Sequence, residues 1–165
     1  MPVDSAAYRN AISRFLTGVT IVTTVADEKP SGLTATAIAS VTLEPPTLLA
    51  CLNRHSTTCQ AIVQAGRFTV NVLACDQTDI AKLFASREMD KFQQLAVLGH
   101  GIETGSFGTP HLRGALASID CAVSATTDIG THRIFFGEVQ QVRCTEGSPL
   151  GYFRGAFVDR PGVDR

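Results

Sequence analysis

Residues 5–16 place Tyr8, Ile12, Phe15 and Leu16 on one helical stripe, with Asp4 or Ser5 available as a cap, and predict a helix ended by Gly18. Beyond it the period changes from helical to two. GVTIVTTV, a polar turn over Asp27–Ser31 and GLTATAIASVT read as a β-hairpin with a longish loop. Pro45-Pro46 interrupts the pattern before TLLACL, a further strand. Ser56–Gln64 predicts a serine-capped helix stopped by Gly66, and Asp76–Ala85 a second with Asp76 as its cap. RFTVNVL between them is continuously apolar enough for a buried strand. Leu98–Pro110 is Gly-rich and reads as a loop. LASIDCAVSATTD and HRIFFGEVQQVRC are two long strands, Tyr152–Val158 a short one, and the tail over 159–165 is expected to fray.

Strands outnumber helices, and consecutive strands lie close enough in sequence to pair antiparallel. This predicts a mainly β fold with flanking helices, an antiparallel barrel being the economical closure, although propensity alone leaves barrel against sandwich open. The 165 residues suit one domain spanning 1–165. Fourteen basic against fifteen acidic residues, a net charge of −1, argue against a nucleic-acid ligand. No apolar run reaches the length of a membrane span, and the start MPVDSAAYRN lacks the basic and apolar regions of a signal peptide. Five cysteines without a CxxC pair read as free thiols in a reducing cytoplasm, and no Cys/His spacing suggests zinc.

Three strings carry candidate chemistry. If GLTATAIASVT is one strand, Thr34, Thr36, Ser40 and Thr42 share a face with Ile38, while Leu33, Ala35, Ala37, Ala39 and Val41 share the other. A face of hydroxyls and small residues lets a planar ligand lie close to the backbone. The same alternation describes an amphipathic strand with hydroxyls towards water, which is its commoner origin. In CLNRHSTT a strand runs through Cys51 into Asn53, Arg54 and His55 before the helix start at Ser56. Free amides, hydroxyls and an arginine there suit a phosphate; helix capping alone explains Ser56 equally well. In IGTHRIFFGEV, His132 opens a strand, as His55, His100 and His111 stand elsewhere with nothing local to promote them. No Ser-His-Asp order, HExxH or P-loop is present, and the nearest approach to GxGxxG, from Gly99 to Gly105, has its third glycine one place late and no helix after it.

Taken in order, YRNAISRFLTGVTIVTT, GLTATAIASVTLEPPTLLACLNRHS, RFTVNVL, LFAS with DKF, GALASIDC, GTHRIFFGEV and PLGYFRGAF resemble the short-chain flavin reductase family, over nearly the whole chain from Tyr8 to Phe157. The GLTATA and IGTH strings are most similar to the reductase component of 4-hydroxyphenylacetate 3-monooxygenase, and the reductase of pyrimidine degradation is similar too. Many relatives carry Gly-Asp-His where this chain has Gly130-Thr131-His132, so no role for that acidic residue transfers.

The resemblance implies an FMN-binding antiparallel split β-barrel, homodimeric, with flavin sites at the subunit interface. It implies an NAD(P)H:flavin oxidoreductase that reduces FMN or FAD with NADH or NADPH and supplies a flavin-dependent monooxygenase. On this likeness Thr34, Ala35, Thr36, Ser40, Val41 and Thr42 border the isoalloxazine and ribityl chain. Cys51, Asn53, Ser56 and Thr57 lie towards the ribityl and phosphate groups, with Ser86, Lys91 and Phe92 as further contacts. His132 faces the nicotinamide as the catalytic candidate, and Tyr152 and Arg154 close the pocket. A tightly FMN-bound oxidase and a flavin- or haem-binding module without reductase activity are the alternatives.

Overall fold

A computed structural model describes residues 3–159. Of the tail expected to fray, only Asp159 falls within that range; 160–165 lie outside the described residues. In chain order the elements are α1 (Ser5–Ile12), β1 (Thr17–Gly18), β2 (Thr20–Ala26), β3 (Lys29–Ala35), β4 (Ile38–Leu43), β5 (Pro46–Asn53), α2 (Thr57–Ala65) and β6 (Arg67–Val72). There follow α3 (Thr78–Ala85), α4 (Lys91–Val97), β7 (Ile102–Thr104), β8 (Pro110–Leu112), β9 (Ala117–Ile129), β10 (His132–Cys144), β11 (Gly151–Phe153) and β12 (Ala156–Val158).

Seven strands form one antiparallel sheet in the order β3-β2-β6-β9-β10-β5-β4. Its two outer strands, β3 and β4, are consecutive in the chain and joined only by Thr36 and Ala37. The covalent link therefore brings the sheet's two edges round to each other, which makes a split barrel and removes the sandwich. At the seam the Cys51 amide donates to the Ala37 carbonyl at 2.9 Å.

Two apolar clusters sit on the two faces of this sheet. Val22, Leu48, Leu52, Phe68, Val70 and Phe135 fill the inside, with Ile62 of α2 packed onto them. Ile21, Leu73, Ile80, Phe84, Leu95 and Leu150 form the second, between the sheet and α3–α4. Ile21 and Val22 point to different clusters, so β2 is buried on both faces and reads as a continuous apolar run. Asn71 is buried between the layers. Its Nδ2 donates to the Ile21 carbonyl and to Thr23 Oγ1, and its Oδ1 accepts from the Leu112 amide at 3.0 Å and the Ser118 hydroxyl at 2.9 Å. One side chain thus ties β2, β6, β8 and β9 together.

Several boundaries differ from the expectation. α1 stops at Ile12, because Ser13 turns its hydroxyl back to the Asn10 carbonyl and ends the regular ladder. The β2–β3 turn is tight, not long: Ala26 pairs with Lys29, and Asp27 and Glu28 both take positive φ, as a two-residue hairpin of right-handed twist requires. GLTATAIASVT is two strands at opposite sheet edges, so Thr34 and Thr36 do not share one face with Ser40 and Thr42. Asp76 is exposed and does not cap α3; Gln77 precedes it and uses its amide on the Ala74 N–H and the Arg113 carbonyl. Within Leu98–Pro110 lies β7, which pairs with β8 in a hairpin. α2, with Ser56 as its cap and Gly66 in the left-handed conformation after it, begins and ends as expected. Among the described residues no helix is long and apolar enough to cross a membrane.

Candidate functional site

The barrel seam opens into a cleft of about 800 Å³. Leu33 to Ala37 supply one wall, Cys51 to Asn53 another, and the corner between α3 and α4 a third. His132 stands where β10 begins, paired across the ladder with Asn53. α3 can approach β3 closely because position 32 is glycine: a Cβ there would stand 2.7 Å from the Phe84 ring. The Thr34 hydroxyl fastens the same contact, donating to the Ala81 carbonyl at 2.7 Å.

At the α3–α4 corner Lys91 is half-buried and its Nζ donates to the Phe84 carbonyl at 2.9 Å. Burial pushes its ammonium pKa below the ordinary lysine value. Ser86 donates to the Leu83 carbonyl and accepts from the Glu88 amide. Arg87 is exposed, with no ion-pair partner among the described residues. Across from them Ser56 Oγ donates to the Asn53 carbonyl and accepts from the Cys59 amide at 3.1 Å. Asn53 Oδ1 accepts from the His55 amide at 2.9 Å. Two cations near a helix start with short hydroxyl side chains are a seat for a phosphate. The Cys51 thiol is raised by burial, so it remains a neutral, inert lining.

Of the residues singled out from the sequence, Thr34, Ala35, Thr36, Cys51, Asn53, Ser56, Ser86, Lys91 and His132 line this cleft. Thr57 and Phe92 line a second one beside it. Tyr152 and Arg154 line a third cavity of about 550 Å³ that adjoins the first at Thr36. Ser40, Val41 and Thr42 lie exposed on β4 and line none of the three. Arg87 was not read from the sequence, although it stands between the LFAS and DKF strings. The histidines separate clearly. His111 is buried with Nε2 at 2.8 Å from Asp120, His100 pairs with Asp79 at 2.9 Å, and His132 is exposed at the cleft.

Residues 12–160 match the flavin reductase like domain family. The reductase component of 4-nitrophenol 4-monooxygenase/4-nitrocatechol 2-monooxygenase from Rhodococcus opacus is 42% identical over 94% of this chain and 81% of its own length. The NADH-dependent FMN reductase RutF of Pseudomonas syringae is 38% identical over 96% and 88%. Among solved structures, the Streptomyces globisporus NADH:FAD oxidoreductase SgcE6, in complex with NAD and FAD fragments, superposes with a TM-score of 0.88 at 30% identity, covering 98% of this chain and 96% of that one. The finer likeness to a 4-hydroxyphenylacetate system has only the loose support of the nitrophenol relative. With a split barrel, a cleft at its seam and a family match over nearly the whole described length, the chain belongs to the flavin reductase like domain family.

Proposed function

We propose that this chain is an NAD(P)H:flavin oxidoreductase that supplies reduced flavin to a partner monooxygenase, with one domain spanning 1–165 as the working unit. The observation that carries it is the seam cleft, which combines a small-residue wall, a cationic corner and an exposed histidine in a space suited to a planar anionic ligand. A flavin fits the residues present: Ala35, Thr36 and Ala37 leave room beside the backbone for a ring, and Lys91, with a half-buried ammonium that burial disfavours, gains from a phosphate.

Hydride transfer from nicotinamide C4 to flavin N5 is the chemistry that the two bound groups supply. The chain's part is to hold and orient. Lys91 and Arg87 would bind the phosphate end, and Ser56 and Ser86, whose hydroxyl protons serve the Asn53 and Leu83 carbonyls, shape the corner around it. Thr36 offers a hydroxyl, and backbone along the seam borders the ring. Asn53 and Thr57 serve the ribityl and phosphate side, and Cys51 and Phe92 pack beside them. His132 positions the nicotinamide, and Tyr152 and Arg154 close the site. Ser40, Val41 and Thr42 reach a flavin only across a subunit boundary. Hydride transfer between the two groups requires no acid–base pair from the chain.

Homodimerisation belongs to the same reading. Tyr8, Ile12, Phe15 and Leu16 leave an apolar stripe 47–67% exposed at the N-terminal helix, and Leu43 on β4 is 80% exposed; a second copy is the natural cover. Sedimentation should give twice the 17.5 kDa chain mass. Free thiols at all five cysteines support a cytoplasmic setting. The deciding experiment is steady-state oxidation of NADH or NADPH with added FMN or FAD and no aromatic substrate. No consumption of pyridine nucleotide at any flavin concentration would refute the reading.

A further inference from the structure

The histidine at the cleft is held by a partner unlike those of His100 and His111. These two each pair with a carboxylate, Asp79 at 2.9 Å and Asp120 at 2.8 Å. His132 instead joins its Nδ1 to the Thr131 hydroxyl, a neutral group, at 2.9 Å. We propose that Thr131, which does not itself line the cleft, is a positioning residue for flavin reduction: its hydroxyl aims the His132 ring so that Nε2 faces the nicotinamide, in either neutral tautomer. This rests on the flavin reductase reading above.

The turn that carries Thr131 is firmly placed. Gly130 takes a φ of +57° and Ile129 pairs with His132, the arrangement of a two-residue hairpin with glycine first. The Thr131 carbonyl accepts from the Arg54 amide at 3.1 Å, which ties the turn to the corner between β5 and α2. Arg133 grips Asp128 through two hydrogen bonds, of 2.6 and 2.8 Å, across the hairpin. A side chain on so fixed a turn can set the angle of the ring beside it.

The choice of a hydroxyl has a chemical consequence. A hydroxyl both donates and accepts, so it holds Nδ1 with or without a proton and leaves Nε2 to donate to the nucleotide or accept from it. A carboxylate only accepts; it would fix a proton on Nδ1 and favour the imidazolium. The one carboxylate at this end of the hairpin, Asp128, is taken by Arg133, which holds its carboxyl below the ordinary range. The other charged or titratable groups near the ring are the Cys51 thiol, His55, Arg87 and Lys91, which line the same cleft, and Arg54 beside the turn. The Thr131 hydroxyl is thus the side-chain anchor of the ring among the described residues.

Thr131→Val, Thr131→Ser and Thr131→Asp test the proposal, each at an exposed turn position. Valine should slow stopped-flow flavin reduction about threefold to tenfold at saturating NADH, with flavin affinity within about twofold of the parent. Serine, which keeps the hydroxyl, should restore the parent rate. Titration of the His132 ring by NMR in the flavin-free protein gives a readout apart from turnover. There aspartate should raise the midpoint by about one unit, as a carboxylate against the ring requires. A valine variant as fast as the parent, or a serine variant as slow as valine, would overturn the proposal. So would an aspartate variant whose His132 titrates as in the parent, because the side chain at 131 would then not meet the ring. A parent protein that reduces no flavin would overturn the reductase reading and this proposal with it, an outcome distinct from the three before.

Discussion

His132→Ala separates a positioning role from a packing one. The imidazole is exposed, and among the described residues its one side-chain hydrogen bond joins Nδ1 to the Thr131 hydroxyl at 2.9 Å. Its backbone pairs with Asn53 and Ile129, a ladder that alanine keeps. Truncation therefore removes little buried contact, and the stability cost should stay within about 0.5 kcal/mol, roughly 1–2 °C in melting temperature for a chain this size. The other ring nitrogen, Nε2, makes no side-chain hydrogen bond among the described residues and is left to meet a nucleotide in the cleft. Loss of such positioning should slow flavin reduction tenfold to a hundredfold, about 1.4–2.8 kcal/mol. Thr131→Val, which frees the ring but keeps it, should lose about threefold to tenfold. Melting temperature, flavin affinity and stopped-flow flavin reduction, measured on one preparation, decide the matter. A melting temperature lowered by about 4 °C or more with an intact reduction rate would make His132 a structural residue and refute the reasoning.

Thr36→Val should weaken flavin binding by about 1 kcal/mol, or fivefold by titration, whereas Thr34→Val should cost stability instead, because that hydroxyl already serves the Ala81 carbonyl. Asn71→Leu strands the buried Leu112 amide and Ser118 hydroxyl, so denaturant titration should show a loss of about 3 kcal/mol or more. Flavin affinity should fall as pH rises through the lowered Lys91 pKa, beginning below 10.5: the half-buried ammonium of the unliganded protein loses its proton early, and only the ammonium holds a phosphate. Titrations in a pH series check this, and Lys91→Met should abolish that alkaline limb.

How much of this was legible in the sequence depended on distance along the chain. α2 was plain because a serine cap, an apolar stripe and Gly66 are all local. α4 had no such mark: Asp90 makes no side-chain cap, and KFQQLAV is barely two turns. The run GLTATAIASVT alternates as well in two strands as in one, and its break at Thr36–Ala37 is set by which strands β3 and β4 find as partners. The histidines show the same limit. His111 and His132 look alike in sequence, and what buries one is Asp120, held from another strand together with Thr69 and Thr109. On β3 and β5 the alternation marks Thr34 and the approach to a helix start marks Asn53, whereas Ala35 and Cys51 enter only through the family resemblance. Arg87 needed the α3–α4 corner to become visible.

The sheet order also sets a timetable for folding. β2–β3, β4–β5 and β9–β10 are hairpins between neighbours in the chain, and each can form early at small entropic cost. The pairing of β5 with β10 joins Asn53 to His132 across nearly half the chain, and until it forms the β4–β5 hairpin is tethered to the rest without being docked. The walls of the cleft therefore meet only when this long-range closure is complete. Flavin should recognise the finished barrel and no earlier species, so adding it ought to slow unfolding without speeding refolding.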